Sequence, residues 1–124
     1  MKKSGEHLQI GNNAEQAAAA LLSDNGYKIV TRNYRCRFGE IDIIALSGSH
    51  LVFIEVRHRR PSTFGTGAES VTPSKQRRII ATAKHYLSKG KFSTLPCRFD
   101  IISSSPTDNG MLELQWLKNA FQLN

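Results

Sequence analysis

Cysteine is nearly missing from this chain. Cys36 and Cys97 are its only two, far apart, and neither has a second cysteine nearby. That spacing offers no local zinc pair and no disulfide framework, so both are expected to be ordinary reduced thiols. Long apolar runs are missing too, and the longest are far too short to cross a bilayer, so no membrane contact is expected. The opening MKKSGEHLQIGNN turns polar at once, without the charged-then-apolar layout of a secretory leader, and a cytoplasmic location is the expectation. There are no internal repeats, no low-complexity tail and no linker. A length of 124 residues suits one domain, 1–124, with one core, and a hydrophobic content of 40% is ordinary for a folded chain.

Acidic residues are the last scarcity. Ten Asp and Glu stand against 17 Lys and Arg, a formal net charge of +7. So much positive charge on so small a domain attracts polyanions, and nucleic acid is the foremost of these in the cytosol. The cations are grouped: Arg32, Arg35 and Arg37; then Arg57, His58, Arg59 and Arg60; then Lys75, Arg77 and Arg78. Arg59, Arg60, Lys75 and Arg78 are the candidate nucleic-acid contacts. Solubility alone would also account for the charge.

Few as they are, two of the acids stand where carboxylates are unwelcome. The stretch GEIDIIALSGSHLVFIEVRHRR, Gly39 to Arg60, holds two apolar runs of strand length, Ile41–Leu46 and Leu51–Val56. Ser47-Gly48-Ser49-His50 between them reads as a hairpin turn. Runs of this kind belong in the middle of a sheet, yet Asp42 lies in the first and Glu55 near the end of the second. Alternation puts Glu40, Asp42 and Ile44 on one face of the first strand. It puts Glu55 and Arg57 together on the second, opposite Ile54 and Val56. A buried carboxylate pair needs a cation or a divalent metal. Either Arg57 closes a structural ion-pair cluster, or the carboxylates hold Mg²⁺ or Mn²⁺ beside a phosphate.

The rest of the chain reads in order. Residues 1–10 are polar and basic and expected to be partly ordered at best. A helix is predicted from about Asn13 to Asp24, capped by Asn12 or Asn13 and ended by Gly26. Glu15 in its first turn suits the helix dipole; alternatively it projects into the site of Asp42 and Glu55. Tyr27–Tyr34 reads as a strand. Pro61–Thr72 is a loop, either a lid around Phe64-Gly65-Thr66-Gly67 or a connector. A second helix starts at Thr72-Pro73 and runs to about Ser88. Its stripe of Ile79, Ile80, Ala83, Tyr86 and Leu87 faces the sheet, with Lys75, Arg78, Thr82, His85 and Lys89 on the other side. Cations crowding its N-terminal end oppose the dipole and invite a phosphate. Cys97–Ser103 is a fourth strand, with Asp100 structural and paired to an arginine. Ser104–Gly110 is a turn, and Leu112–Leu117 an edge strand that can also pair with a second copy. The expected fold class is therefore α/β, in the order αβββαββ: an antiparallel meander plus further strands in a mixed sheet packed with two helices.

These residues also carry a resemblance. Ala14-Glu15 ahead of alanines, Gly26-Tyr27, Arg32-Asn33-Tyr34-Arg35, Gly39-Glu40-Ile41-Asp42, Phe53-Ile54-Glu55-Val56-Arg57, Phe64-Gly65, Pro73-Ser74-Lys75 and Arg98-Phe99-Asp100 run through nearly the whole chain. The pattern resembles the YraN-like family of uncharacterised bacterial proteins, which has a restriction-endonuclease-like fold and is similar to archaeal Holliday-junction resolvases of the PD-(D/E)XK superfamily. The resemblance implies a catalytic set of Glu15, Asp42, Glu55 and Arg57. It implies Mg²⁺ or Mn²⁺ on Asp42 and Glu55, with the Val56 carbonyl as a further oxygen ligand, and hydrolysis of phosphodiesters in branched or structured DNA. Because related resolvases act as two-fold dimers, it also implies a homodimer. Two positions depart from the pattern. Ile41 replaces a proline, and Arg57 replaces the usual lysine. An arginine does not give up its proton in a protein, so Arg57 cannot be a general base. It can stabilise a phosphate, or it can neutralise the carboxylates in the metal's place. The latter would leave a non-catalytic nucleic-acid-binding module on the same fold.

Overall fold

The structure, a computed structural model, describes residues 6–58 and 71–122, with side chains in the first helix from Ala14 onward. Arg59 and Arg60, and the predicted loop core at Phe64-Gly65-Thr66-Gly67, lie outside the described residues.

The elements follow the predicted order: α1 Glu6–Asp24, β1 Lys28–Cys36, β2 Gly39–Ser47, β3 His50–His58, α2 Pro73–Leu87, β4 Cys97–Pro106 and β5 Leu112–Phe121. One five-stranded sheet runs β1-β2-β3-β4-β5. Every neighbouring pair is antiparallel except β3–β4, which is parallel and is reached through α2. This order, with a mixed sheet and two helices, is the topology of the restriction-endonuclease-like fold.

The helices cover opposite faces, so the central strands β2, β3 and β4 are buried on both sides while β1 and β5 stay partly exposed. Ala14, Ala18 and Leu22 recur at helical spacing and are buried; small side chains there let α1 lie close to the sheet. Ala18 and Leu22 pack with Ile43, Ala45, Val52, Ile54 and Ile102. The stripe predicted on α2 packs on the other face: Ile79 and Ala83, flanked by Ile80, Tyr86 and Leu87, meet Ile41, Ile44, Phe53, Phe99 and Ile101. Phe53, Phe99 and Phe121 stack in a row across the strands, with ring centroids 5.3 and 5.0 Å apart.

Three boundaries differ most from the sequence prediction, and β1, β2 and β3 each shift by one or two residues at their ends. First, α1 begins at Glu6 instead of near Asn13, so Asn12 and Asn13 lie inside it. Their cap-like chemistry and Gly11 each weigh less than about 1 kcal/mol against the helix, a handicap that tertiary packing overrides. Second, β4 continues through Ser104 and Ser105 to Pro106. Those serines read as turn residues, but Ser103 and Ser104 are buried, and Ser104 Oγ bonds His58 Nδ1 at 2.9 Å. Third, β5 runs to Phe121, passing a bulge at Asn119, where φ is 55°.

The bulge at Asn119 serves Asp100, which is fully buried. Asp100 accepts from Arg98 Nε and Nη2, from Trp116 Nε1 and from the Asn119 N–H, each at 2.9 Å. Arg98 also donates to Tyr27 Oη at 2.6 Å. The arginine partner predicted for Asp100 is therefore present, and the group ties β4 to β5 and to the start of β1.

Candidate active site

The site forms where two strands part. The β2–β3 ladder is paired from Ser47–His50 to Ile43–Ile54 and stops there. Asp42 and Glu55 would have been the next pair. Instead the Val56 N–H donates to Asp42 Oδ2 at 2.8 Å, so a side chain takes over from the ladder. The neighbouring strand bends at the same level. Asn33, between the pairs Arg32–Ile43 and Tyr34–Ile41, has φ of 57°. Asparagine is among the few residues that accept this left-handed conformation cheaply. The predicted alternation holds for Asp42 and Ile44 but fails at Ile41, which joins the α2-facing core along with Ile44. Arg32 turns to Glu15 on α1 at 3.4 Å, whereas Tyr34 turns to His85 on α2 at 2.6 Å.

The parted strands leave a cavity of about 210 Å³, lined by Gly39, Glu40, Asp42, Glu55, Lys75, Arg78 and Ile79. Asp42 and Glu55 are thus brought together, as the sequence suggested. Glu55 is 8% exposed. Its Oε2 meets Lys75 Nζ at 2.9 Å and Arg57 Nη1 at 3.6 Å. Burial, then the nearby Glu55 charge, push the Asp42 carboxyl up to about 7, against the pull of the Val56 hydrogen bond. The α2 wall comes close because Gly39 has no side chain: a Cβ there would stand 3.1 Å from Thr82 Oγ1.

Glu15 lies next door. It lines a second cavity of about 140 Å³ with Ala14, Asp42, Val56 and His58. Asp42 borders both spaces, so the three predicted acids converge on it, but Glu15 does not line the Glu55 cavity. Among the described residues no group of three or more His, Cys, Asp or Glu is placed to hold a metal.

Sequence reasoning gave Lys75 to nucleic acid and Glu55 to Arg57. The geometry gives Glu55 a closer partner in Lys75, whose N–H also donates to the capping Thr72 Oγ1 at 3.2 Å. The signal was in the sequence as cations crowded at the start of α2. Part of that crowding answers a carboxylate within the protein. The face of α2 predicted to be polar is also less solvated than expected, because Thr82 is buried and donates to the Arg78 carbonyl at 2.8 Å. His58 is a site-lining residue that no spacing rule singled out.

Residues 14–103 match the model of a family described as "Uncharacterised protein family UPF0102". A UPF0102 protein of Hahella chejuensis is 47% identical over 120 residues, covering 97% of this chain and 95% of the relative. One from Nitrosococcus oceani is 43% identical over 122 residues, 98% of each, and one from Legionella pneumophila is 46% identical over 112 residues, 90% of this chain and 92% of the relative. The chain belongs to the UPF0102 family. The UPF0102 match takes in Glu15, Asp42, Glu55 and Lys75 and ends before β5. Among the described residues no helix is long and apolar enough to cross a membrane.

Proposed function

We propose that the protein is a metal-dependent endonuclease that hydrolyses phosphodiesters in branched or structured DNA. The observation that carries this reading is the meeting of Asp42 and Glu55, from two parting strands, in one cavity walled by Lys75 and Arg78. Two carboxylates suit a hard divalent cation such as Mg²⁺ or Mn²⁺, which keeps several waters and takes the rest of its shell from substrate oxygens. The chemistry of the pair supports the fit. Burial, and after it the Glu55 charge, let Asp42 hold its proton up to about 7, and a dication there would offset both the desolvation and the repulsion. When bound, such a cation supplies charge neutralisation and an acidified water.

The remaining roles belong to the chain. Asp42 and Glu55 would hold the cation, and the Val56 N–H fixes the Asp42 carboxylate. Lys75 would hold Glu55 in place, since its ammonium touches that carboxylate, and would add its positive charge beside the phosphate. Arg57 and Arg78 would steady phosphate charge. Glu15, held by Arg32, borders Asp42 from the α1 side and would act by charge.

The test is cleavage of junctions, flaps and single strands in Mg²⁺ or Mn²⁺. The wild type is expected to cut at least one. Asp42→Asn, Glu55→Gln and Lys75→Met are expected to lose cutting by about a hundredfold or more while still binding DNA. A wild type that cuts none of these in either metal overturns the reading. One observation favours a second reading: Glu55 Oε2 is already met by two cations, as in a neutralised, non-catalytic nucleic-acid-binding module. That module binds DNA in a salt-dependent way, takes up no Mn²⁺ in calorimetry, and keeps its affinity in EDTA. A homodimer, as in two-fold resolvases, goes with the first reading, and sedimentation tests it.

A further inference from the structure

The turn from β1 to β2 carries an aromatic ring, Phe38, at the surface. Phe38 is 39% exposed, and with Met111 and Leu117 it is one of three exposed large apolar residues among those described. A singly exposed apolar side chain is ordinary. The surroundings of Phe38 are not. The Arg37 guanidinium lies over its ring at 4.9 Å. His85 meets it edge-on with centroids 6.1 Å apart, and His85 is itself held by Tyr34 Oη at 2.6 Å. The ring is therefore braced from the α2 side and not simply left in solvent. The next two residues, Gly39 and Glu40, line the cavity of Asp42 and Glu55. Exposed Arg37 adjoins Phe38, exposed Arg35 nearby pairs with Glu40 at 3.4 Å, and Arg78 lies on the same cavity.

We infer that Phe38 is a stacking platform for an unpaired nucleobase at the rim of the acidic cavity. The substrate class is nucleic acid with an unstacked base beside the phosphate bound there. The inference rests on the nucleic-acid part of the proposed function and not on cleavage. A base offers a flat apolar face whatever its identity, and an aromatic side chain with cations around it holds such a face while the cations hold the backbone. In an intact duplex every base is stacked on its neighbours and cannot reach the ring. At a branch point, gap or frayed end it can. Phe38 would thus select for interrupted helices without reading sequence.

The full chain is titrated, in EDTA so that no cutting intervenes, with a gapped DNA carrying 2-aminopurine at the unpaired position and with a continuous duplex of equal length. The wild type is expected to bind the gapped DNA more tightly and to quench the 2-aminopurine fluorescence. Phe38→Ala should lower affinity for the gapped DNA by roughly fivefold to a hundredfold and abolish the quenching, with the duplex affinity moving far less. Phe38→Tyr should restore both. Equal losses on the two DNAs, quenching that survives Phe38→Ala, or no binding of either DNA by the wild type would each overturn the inference. Absence of cleavage in Mg²⁺ or Mn²⁺, with the quenching in EDTA intact, would count against the nuclease reading alone.

Discussion

Asp42 is the residue at which strand geometry and charge meet. Its carboxyl is raised to about 7 from an ordinary value of 3.8. Between those values the folded chain keeps a proton that the unfolded chain has lost. Stability therefore falls as pH rises through that window, and the loss is complete above about 7. Asp42→Asn keeps an oxygen for the Val56 N–H and carries no charge. It is expected to match wild type near pH 4 and to melt higher at pH 8, by on the order of 5 °C, in thermal scans at the two pH values. If the pair holds a dication, Mn²⁺ should raise the wild-type melting point at pH 8 and leave that of Asp42→Asn unmoved. Asn33 makes a second prediction at this scale. Asn33→Val, a β-branched side chain at positive φ, should cost about 1–2 kcal/mol in denaturant unfolding, whereas Asn33→Gly should be tolerated. Asp42 and Glu55 could be read from sequence because charge inside an apolar run is conspicuous. The left-handed turn at Asn33 could not, because Arg32-Asn33-Tyr34 looks like any alternating strand.

At the scale of elements, the strands and both helices were legible because their apolar spacing is regular. What was not legible came from contacts between elements. Lys75 belongs to Glu55 only because α2 lies against the open end of β2 and β3, and Gly39 permits that approach. Gly39→Ala should push against Thr82 and shift α2, with a loss of about 1–3 kcal/mol. The same shift should weaken the Lys75–Glu55 contact, so cleavage should fall in Gly39→Ala even at temperatures where it stays folded. At the other side of the sheet, Asp100→Ala strands Arg98 and leaves the Trp116 and Asn119 donors without an acceptor. Denaturant unfolding should show a loss of about 3–5 kcal/mol. The full length of β5 escaped prediction for the same reason. Lys118-Asn119 breaks the alternation, and only the buried carboxylate across the strand explains why the chain bulges there and continues to Phe121.

Across the whole molecule, the net charge of +7 divides into cations that answer acids inside the protein and cations that do not. Lys75, Arg57, Arg32, Arg35 and Arg98 all meet a carboxylate. Arg78 meets none within salt-bridge range among the described residues; it donates to Ser74 Oγ at 3.2 Å. If it contacts a DNA phosphate, Arg78→Ala should reduce the slope of log affinity against log salt by about one. Composition alone could not make this division, which depends on where the backbone carries each side chain. The parallel pairing of β3 with β4 has a consequence for how the protein comes into being. The meander of β1, β2 and β3 is complete by His58, whereas Lys75 emerges later, on the crossover that β4 requires. During synthesis the two acids become neighbours before their ammonium counterion exists. A chain stopped at His58 would hold the acid pair with Arg57 but not Lys75 beside it, and the finished charge balance arrives only when the second half of the polypeptide folds back over the first.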